Sequence, residues 1–269
     1  MKKDFQPNIA VVTAWRPELD ALHSMVPNAT EVALPRSRED IRYYHGNIYN
    51  RNIVYFESGV GATDSAISTS DVLSRYPTVK NVIVAGVAGS LSPDIEIASV
   101  VIPQRWYDYS RQLYARPGED GYRTPEHMGR FLQGSHFGMI HPMNTKPVYV
   151  NEDMARIVEQ NTCSFPVDNN VVIGGSGLSA SIFLDNPDYR MYLGDIYPDA
   201  TIVDMESYAI LRATQRHANN VSGIAFRTVS DTAGKEGTSK NELSENLKRA
   251  TGQLTLFLDH YLHLLSQNI

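Results

Sequence analysis

Cysteine is almost absent from this chain of 269 residues, in which Cys163 is the single one. One cysteine cannot form an internal disulfide, and a lone thiol excludes any metal site that needs several thiolates. A single free thiol is also typical of a protein kept in a reducing compartment. The cytoplasm is therefore the expected location.

Long apolar runs and clusters of positive charge are lacking as well. No apolar stretch approaches the length of a membrane span, and Met1–Pro7 is too short and polar for a signal peptide. Lysine and arginine are scattered and number 24, against 30 acidic residues. Because a nucleic-acid partner needs a basic stripe, we expect neither a nucleic acid nor a membrane as partner.

The chain alternates apolar, strand-like segments with helix-compatible ones, and no linker interrupts it. Asn8–Ala14 predicts a buried first strand, and residues 41–58 predict a hairpin. Val221–Ser230 predicts the last central strand. We expect one α/β domain over residues 1–269, a three-layer fold with a twisted mixed central sheet flanked by helices. Residues 106–141 are irregular and predict a long excursion that could act as a lid.

Carboxylates follow three of the predicted strands. Glu18 lies on the opening turn of the first helix, Asp204 and Glu206 end the apolar start of Thr201–Ile210 (TIVDMESYAI), and Asp231 ends the last strand. Open α/β sheets present groups to ligands at the C-terminal ends of their strands. The helix dipole explains an acid at a helix start equally well, and from the residues alone this explanation is favoured for Glu18 and Glu206.

Arg227 lies inside the apolar last strand, four residues before Asp231. In an ideal strand, residues four apart point to the same side of the sheet. A buried arginine needs a partner, and a carboxylate is the most favourable one. The spacing therefore predicts that Arg227 and Asp231 lie together.

Small residues follow two further strands, at Ser58–Gly61 (SGVG) and at Gly86–Ser90 (GVAGS). Such residues let the backbone approach a ligand closely, and a sharp turn alone explains them equally well. Phe183 follows a third glycine-rich segment, where it could stack on a flat heterocycle. From the residues alone, a role as a core anchor is favoured.

Two other features are interpreted as structural. His136 and His141 have no carboxylate cluster beside them, so we expect no metal site there. The closing helix, from about Ser239, carries an apolar stripe that includes Leu243 and Leu247. A stripe of this spacing is typical of a helix packed on the core, so the helix is expected to have no part in the site.

The segments TAWRPEL, SGVG, AGVAGSL, DMES and FRTVSDTAG follow one another along the chain. In this order the chain resembles the nucleoside phosphorylase/hydrolase superfamily, closest to its 5′-methylthioadenosine/S-adenosylhomocysteine nucleosidases and to plant bark-storage-like proteins. The resemblance covers nearly the whole chain apart from residues 106–141. It implies cleavage of the N-glycosidic bond of a purine nucleoside, without metal or other cofactor, by a homo-oligomer of two or more copies.

The resemblance implies that two residues carry the chemistry. Glu18 would activate water as a general base, and Asp231 would protonate or hydrogen-bond N7 of the purine. Glu206 would accept hydrogen bonds from the ribose hydroxyls. The remaining implied site residues pack on the substrate, line its pocket or hold Asp231 in position: Met205 on the sugar face, Phe183 on the base, Gly86, Val87 and Ser58 along the pocket, and Ser230 and Arg227 beside Asp231.

Positions 18 and 84 bear on the choice of nucleophile. Phosphorylases of this type carry arginines where this chain has Glu18 and Val84, so water is expected rather than phosphate, which would lack its charge-assisted partners. Val87 replaces a serine of the compared nucleosidases, and residues 174–186 look like those of bark-storage-like relatives. Two alternatives remain: a purine or uridine nucleoside phosphorylase, and a catalytically weak nucleoside-binding or storage-type protein.

Overall fold

The structure of the protein is a computed structural model that describes residues 5–32, 42–115, 139–142, 146–168, 170–218, 220–233 and 240–268. The strands are, in chain order, β1 (Ile9–Thr13), β2 (Thr30–Val32), β3 (Tyr43–Ile48), β4 (Arg51–Glu57), β5 (Asn81–Ser90), β6 (Val100–Ile102), β7 (Arg105–Asp108), β8 (Gln112–Ala115), β9 (Met139–Pro142), β10 (Val148–Tyr149), β11 (Val171–Ile173), β12 (Ser176–Ser179), β13 (Ala200–Asp204) and β14 (Ser222–Thr232). The helices are α1 (Arg16–Met25), α2 (Ala62–Arg75), α3 (Glu152–Asn161), α4 (Pro187–Ile196), α5 (Ser207–Arg216) and α6 (Lys240–Asn268).

Most of the described strands belong to one mixed sheet, in the order β10-β7-β12-β13-β5-β1-β4-β3-β2. Strand β5 is its centre, because it pairs in parallel with β1 and β14 and antiparallel with β13. Strand β1 also pairs in parallel with β4. The carboxyl ends of β1, β4, β5 and β14 therefore meet at one edge, where open α/β sheets present ligand-binding groups.

Helices cover both faces of this sheet. Helices α1, α3 and α6 pack together on one face, and α5 packs on the other with α2 against it. On the first face an aromatic cluster joins sheet and helix, because the ring of Phe226 lies 5.0 Å from Phe257 and 4.5 Å from Tyr261, both edge-on. Each such pair contributes about 0.5–1.5 kcal/mol beyond its buried area. The expected mixed sheet flanked by helices is confirmed.

The hairpin and the last strand lie where the sequence predicts them. Strands β3 and β4 pair antiparallel through a turn in which Tyr49 and Asn50 have φ of 50° and 60°. Two successive positive φ values fit the two-residue turns that match the twist of a hairpin. Strand β14 is fully buried over most of its length and ends at Thr232.

The prediction of an irregular excursion over residues 106–141 is wrong at its start. Strand β7 pairs in parallel with β12 and antiparallel with β10, so Trp106 is a fully buried residue of the main sheet. Strands β8 and β9 form a separate antiparallel pair. Residues 116–138, which include His136 and most of the expected lid, lie outside the described part of the chain.

Candidate active site

A cavity of about 270 Å³ opens at the carboxyl ends of β1, β5, β13 and β14. Its lining combines apolar side chains with four carboxylates, and no lysine, arginine or histidine is found among the described residues that line it. The acidic residues arrive from three separate parts of the chain, at the start of α1 and at the ends of β13 and β14. They are Glu18, Asp204, Glu206 and Asp231.

Glu18 is held in the cavity wall by backbone groups. Its Oε2 accepts hydrogen bonds from the N–H of Ala14 at 2.8 Å and of Trp15 at 3.4 Å, and its Oε1 accepts one from the N–H of Val87 at 2.8 Å. The residue is 2% exposed. Burial raises the pKa of Glu18, while the charge of Arg227 and the three backbone N–H groups act in the opposite direction. A raised pKa makes an ionised carboxylate a stronger base.

Gly86 is required because Arg227 passes directly over it. A Cβ atom at position 86 would lie 2.0 Å from Nη1 of Arg227 and 2.6 Å from Oε1 of Glu18. Real Cβ atoms do not approach other atoms this closely, so only glycine leaves room for the guanidinium beside Glu18. The AGVAG segment therefore serves the packing of the acidic residues.

Arg227 neutralises part of the carboxylate cluster from behind the cavity. Its Nη2 lies 2.5 Å from Oδ2 of Asp204 and 3.4 Å from Oε2 of Glu206. Its Nε donates to Oγ of Ser207 at 3.1 Å, and its Nη1 lies 4.0 Å from Oε1 of Glu18. The arginine is 1% exposed, so these contacts are made in a region of low dielectric.

The expected pairing of Arg227 with Asp231 is therefore wrong. The register of β14 against β5 shifts between Val229, which pairs with Ala88, and Asp231, which pairs with Gly89. Ser230 is the extra residue of this bulge, and a bulge turns the following side chain away from ideal alternation. Arg227 thus finds its carboxylates on β13 and α1, while Asp231 turns into the cavity.

Asp231 is held by its neighbour in the bulge. Oγ of Ser230 donates a hydrogen bond of 2.7 Å to Oδ2 of Asp231, which fits the expected positioning role of Ser230. Burial raises the pKa of Asp231, the charge of Asp185 raises it further, and the Ser230 hydroxyl lowers it. A carboxyl with a raised pKa keeps its proton to higher pH and can donate it.

Glu206 is the residue immediately before α5, but its side chain does not cap that helix. Instead Oε1 accepts a 2.9 Å hydrogen bond from the N–H of Gly61, at the start of α2, and Asp204 accepts from the N–H of Ser207 at 3.2 and 3.3 Å. Burial raises the pKa of Glu206 to about 7, although the positive charge of Arg227 acts to lower it. The helix-opening acid is thus Asp204, and Glu206 faces the cavity.

A family model described as the phosphorylase superfamily matches residues 8–263. The chain belongs to this superfamily. The 5′-methylthioadenosine/S-adenosylhomocysteine nucleosidase of Anoxybacillus flavithermus is 26% identical over 230 residues, which cover 85% of this chain and 87% of the relative.

Two solved structures share the fold of this chain. The 5′-methylthioadenosine/S-adenosylhomocysteine nucleosidase of Neisseria meningitidis, in complex with methylthio-immucillin-A, aligns with a TM-score of 0.73 at 20% identity and covers 95% of this chain and 98% of its own. The futalosine hydrolase of Helicobacter pylori aligns with a TM-score of 0.74 at 18% identity and covers 96% and 97%. Both likenesses show that this chain shares the fold of these two structures.

Some predicted pocket residues of this superfamily member line the cavity, and others lie behind it. Val87, Met205, Phe183 and Ser230 are among the lining residues. Phe183 is 65% exposed at the cavity, so it is not the core anchor that the residues alone favoured. Three predicted site residues are not among the described lining residues: Ser58, Gly86 and Arg227.

Ser58 illustrates this difference. Its side chain is fully buried and its Oγ donates to the carbonyl of Gly59 at 3.0 Å, so it is used inside its own turn. Gly59 and Gly61 have φ of 83° and 94°, which confirms the sharp turn. Val60, from the same turn, lines the cavity instead. The predicted turn thus reaches the cavity through Val60, whereas Ser58 is not among the described lining residues.

The closing helix takes part in the site, contrary to expectation. Leu243 and Leu247 of α6 line the cavity, together with Ile182 and Leu184 from the segment before α4. The 3.6-residue period shows that Leu243 and Leu247 face inward. The period does not distinguish the first turns of α6, which face the cavity, from the later turns, which face the core.

Neither a metal site nor a membrane span is found in the part of the chain that the structure describes. No group of three or more His, Cys, Asp or Glu side chains there is arranged to hold a metal ion. None of its helices is both long and apolar enough to cross a bilayer.

Proposed function

We propose that this protein is a metal-independent nucleosidase that hydrolyses the N-glycosidic bond of a purine nucleoside of the 5′-methylthioadenosine/S-adenosylhomocysteine type. The products are the free base and the ribose moiety. The observation that carries the proposal is Glu18, a buried carboxylate held by three backbone N–H groups in the wall of an acidic cavity. The names of the A. flavithermus relative and of the N. meningitidis structure support the substrate class.

The charge of the cavity favours water over phosphate as the nucleophile. Four carboxylates line the cavity, and the described cation that contacts them, Arg227, lies behind them. A phosphate dianion placed beside Glu18 would meet like charges and no described cationic partner on the lining. Like charges at close range in a medium of low dielectric repel strongly, whereas a water molecule meets a hydrogen-bond acceptor.

The proposed reaction needs a base on one side of the substrate and an acid on the other. Glu18 takes a proton from water as the water oxygen bonds to C1′ of the ribose. The bond between C1′ and N9 breaks, its electron pair goes to the purine, and Asp231 gives a proton to N7. Glu18 then holds a proton that came from water, and Asp231 has lost its own proton to N7, so proton exchange with solvent restores both groups.

Glu206 and two apolar side chains would position the nucleoside. Glu206 accepts hydrogen bonds from the ribose hydroxyls, and its negative charge stabilises the oxocarbenium-like sugar as it forms. Met205 packs on the sugar face. Phe183, at the cavity rim, stacks on the base.

Base release with and without inorganic phosphate tests the function directly. Purified protein is incubated with 5′-methylthioadenosine, and free adenine and the sugar product are measured chromatographically. We expect equal rates in the two conditions and a free reducing sugar as the product. A sugar 1-phosphate, or strict dependence on phosphate, would identify a phosphorylase, and adenine binding without turnover would identify a binding or storage-type protein.

The assembly and location of the protein complete the proposal. We propose a homo-oligomer of two or more copies, because exposed apolar side chains cluster around the cavity mouth at Val60, Ile182 and Phe183. Large exposed apolar groups of this kind are typical of contact surfaces. Light scattering coupled to gel filtration measures the mass, and a monomer would contradict the proposed oligomer.

Cys163 is free and exposed, as suits the proposed cytoplasmic location.

A further inference from the structure

We propose that Asp204 is a positioning residue which, with Ser207, holds the guanidinium of Arg227 away from Glu18 and so keeps Glu18 available as a base. The proposal deepens the proposed function and rests on it for its catalytic consequence. The geometry on which it stands is independent of the substrate.

The contacts of Arg227 are graded in length. The contact of Nη2 with Asp204 is the shortest at 2.5 Å, and Nη2 reaches Glu206 only at 3.4 Å. Nε donates to Ser207 at 3.1 Å. Nη1 remains 4.0 Å from Oε1 of Glu18, which is beyond hydrogen-bond distance. Two of the three guanidinium nitrogens, Nε and Nη2, are therefore engaged by other residues, and Nη1 is the one that faces Glu18.

Asp204 can hold this position because its own carboxylate is fixed. The residue ends β13 and is 6% exposed, and both carboxylate oxygens accept from the N–H of Ser207, the first residue of α5. The Ser207 side chain is fully buried, and its Oγ accepts a hydrogen bond from Nε of Arg227. Asp204 and Ser207 thus join the start of α5 to the guanidinium of Arg227. These contacts restrict rotation of both side chains.

Removal of Asp204 would leave Arg227 with two other carboxylates. Glu18 and Glu206 both lie within about 4 Å of the guanidinium and would compete for its free edge. A direct ion pair stabilises the ionised form of a carboxyl group and so lowers its affinity for a proton. Glu18 would become a weaker base, and the nucleophilic water would be activated less.

Other groups around Glu18 do not replace Arg227 in this role. Strand β5 gives Glu18 the backbone N–H of Val87, and α6 gives the cavity the apolar Leu243 and Leu247. In the described part of the chain, the titratable or charged groups that share the cavity or its wall with Glu18 come from β14, from the end of β13 and from the residue before α5: Arg227, Asp231, Asp204 and Glu206. Among these four, Arg227 is the one cation.

The experiment measures the titration of Glu18 itself. Protein with ¹³C-labelled glutamate carboxyl groups is titrated by NMR, and the Glu18 signal is assigned from its loss in Glu18→Gln. We expect Asp204→Asn to lower the midpoint of the Glu18 titration by about one pH unit, the usual scale for an ion pair formed at a carboxylate. Asp204→Glu, which keeps the charge, is expected to return the midpoint toward the wild-type value.

Ser207→Ala is the second variant, because it removes only the hydrogen bond to Nε and leaves every charge in place. We expect the midpoint to fall in the same direction, by less than in Asp204→Asn. If Asp204→Asn does not fold, the Glu18 midpoint in Ser207→Ala tests the proposal instead. An unchanged Glu18 midpoint in the folded variant, or an Asp204→Glu protein that behaves like Asp204→Asn, overturns the proposal.

Kinetics then separate this proposal from the proposed function. In Asp204→Asn the acidic limb of the profile of kcat/KM against pH is expected to move to lower pH, and kcat to fall more than KM rises. A purely structural role would lower the rate without moving that limb, and would overturn the inference while the nucleosidase function stands. If the wild-type protein releases no base, the function fails, and the NMR midpoint still decides the role of Asp204.

Discussion

The backbone N–H of Val87 donates a 2.8 Å hydrogen bond to Oε1 of Glu18 and so ties the proposed base to the central strand β5. The other carboxylate oxygen is tied to the end of β1 through the N–H of Ala14. Because both contacts use the backbone, they do not depend on the side chain at position 87. A valine at position 87 is therefore compatible with this placement of Glu18.

We expect Glu18→Gln to lower kcat for 5′-methylthioadenosine at least about a hundredfold, because an amide cannot take the proton of the attacking water. Adenine release at saturating substrate measures the effect. Binding of adenine, followed by calorimetry, should change little, since Glu18 is proposed to act on the water and not on the base. A rate near that of the wild-type protein would remove Glu18 from the mechanism.

Gly86→Ala is expected to disrupt the same site from behind. The new Cβ would lie 2.0 Å from Nη1 of Arg227 and 2.6 Å from Oε1 of Glu18, so both groups must move. We expect a loss of about 1–3 kcal/mol in the free energy of unfolding, measured in urea, and a lower kcat.

The matched control is Gly252→Ala, in the exposed face of α6, where a Cβ would meet nothing within 4 Å. Alanine is the better helix former, so a gain of about 0.5–1 kcal/mol is expected there, with activity unchanged. Equal effects of the two substitutions would show that Arg227 does not need the space above position 86.

Asp231→Asn should lower kcat most for substrates whose leaving base needs a proton. We expect about a hundredfold loss of kcat with 5′-methylthioadenosine, the usual scale for a general acid. With p-nitrophenyl riboside, whose leaving group departs as an anion, the loss should be much smaller. Ser230→Ala, which removes the 2.7 Å hydrogen bond to Asp231, is the milder control. Equal losses on both substrates would contradict the acid role.

Sequence patterns predicted the elements of this fold better than the contacts between them. The period-two and period-3.6 patterns located β1, the β3–β4 hairpin and β14, because these depend on local burial. The ideal alternation that paired Arg227 with Asp231 failed at one bulge residue, Ser230, since a bulge leaves no pattern in a single sequence. Asp204, the actual partner, ends β13, the strand that precedes β14 in the chain, and only the register of β13 and β14 against β5 brings Asp204 and Arg227 together.

Phe183→Ala is expected to weaken substrate binding without destabilising the fold. Phe183 lines the cavity and is 65% exposed, so it contributes little to the core. Loss of an aromatic stacking partner costs about 0.5–1.5 kcal/mol, which corresponds to a KM raised up to about tenfold. Met191→Ala, on α4, removes a side chain of similar exposure, 63%, that does not line the cavity. An unchanged KM in the Phe183 variant would exclude stacking on the base.

Glu206 should make the protein less stable as the pH rises through a defined window. Burial raises the pKa of Glu206 from 4.5 to about 7 in the folded protein, so between these values the folded chain holds a proton that the unfolded chain has lost. Stability falls with pH wherever the folded state binds more protons. The stabilising contribution of the Glu206 proton to the free energy of unfolding is thus fully present below about pH 4.5 and lost above about pH 7.

We expect Glu206→Gln to remove this dependence. In urea unfolding between pH 4.5 and 7, the free energy of unfolding of the wild-type protein should fall relative to that of the variant. The change is at most about 3 kcal/mol, since neighbouring carboxylates and Arg227 share the charge balance. Glu245→Gln, at an exposed position of α6, should keep the wild-type slope. If Glu206→Gln keeps that slope too, the proton taken up on folding belongs to another group, and Glu206 is ionised and ready to accept from the ribose throughout this range.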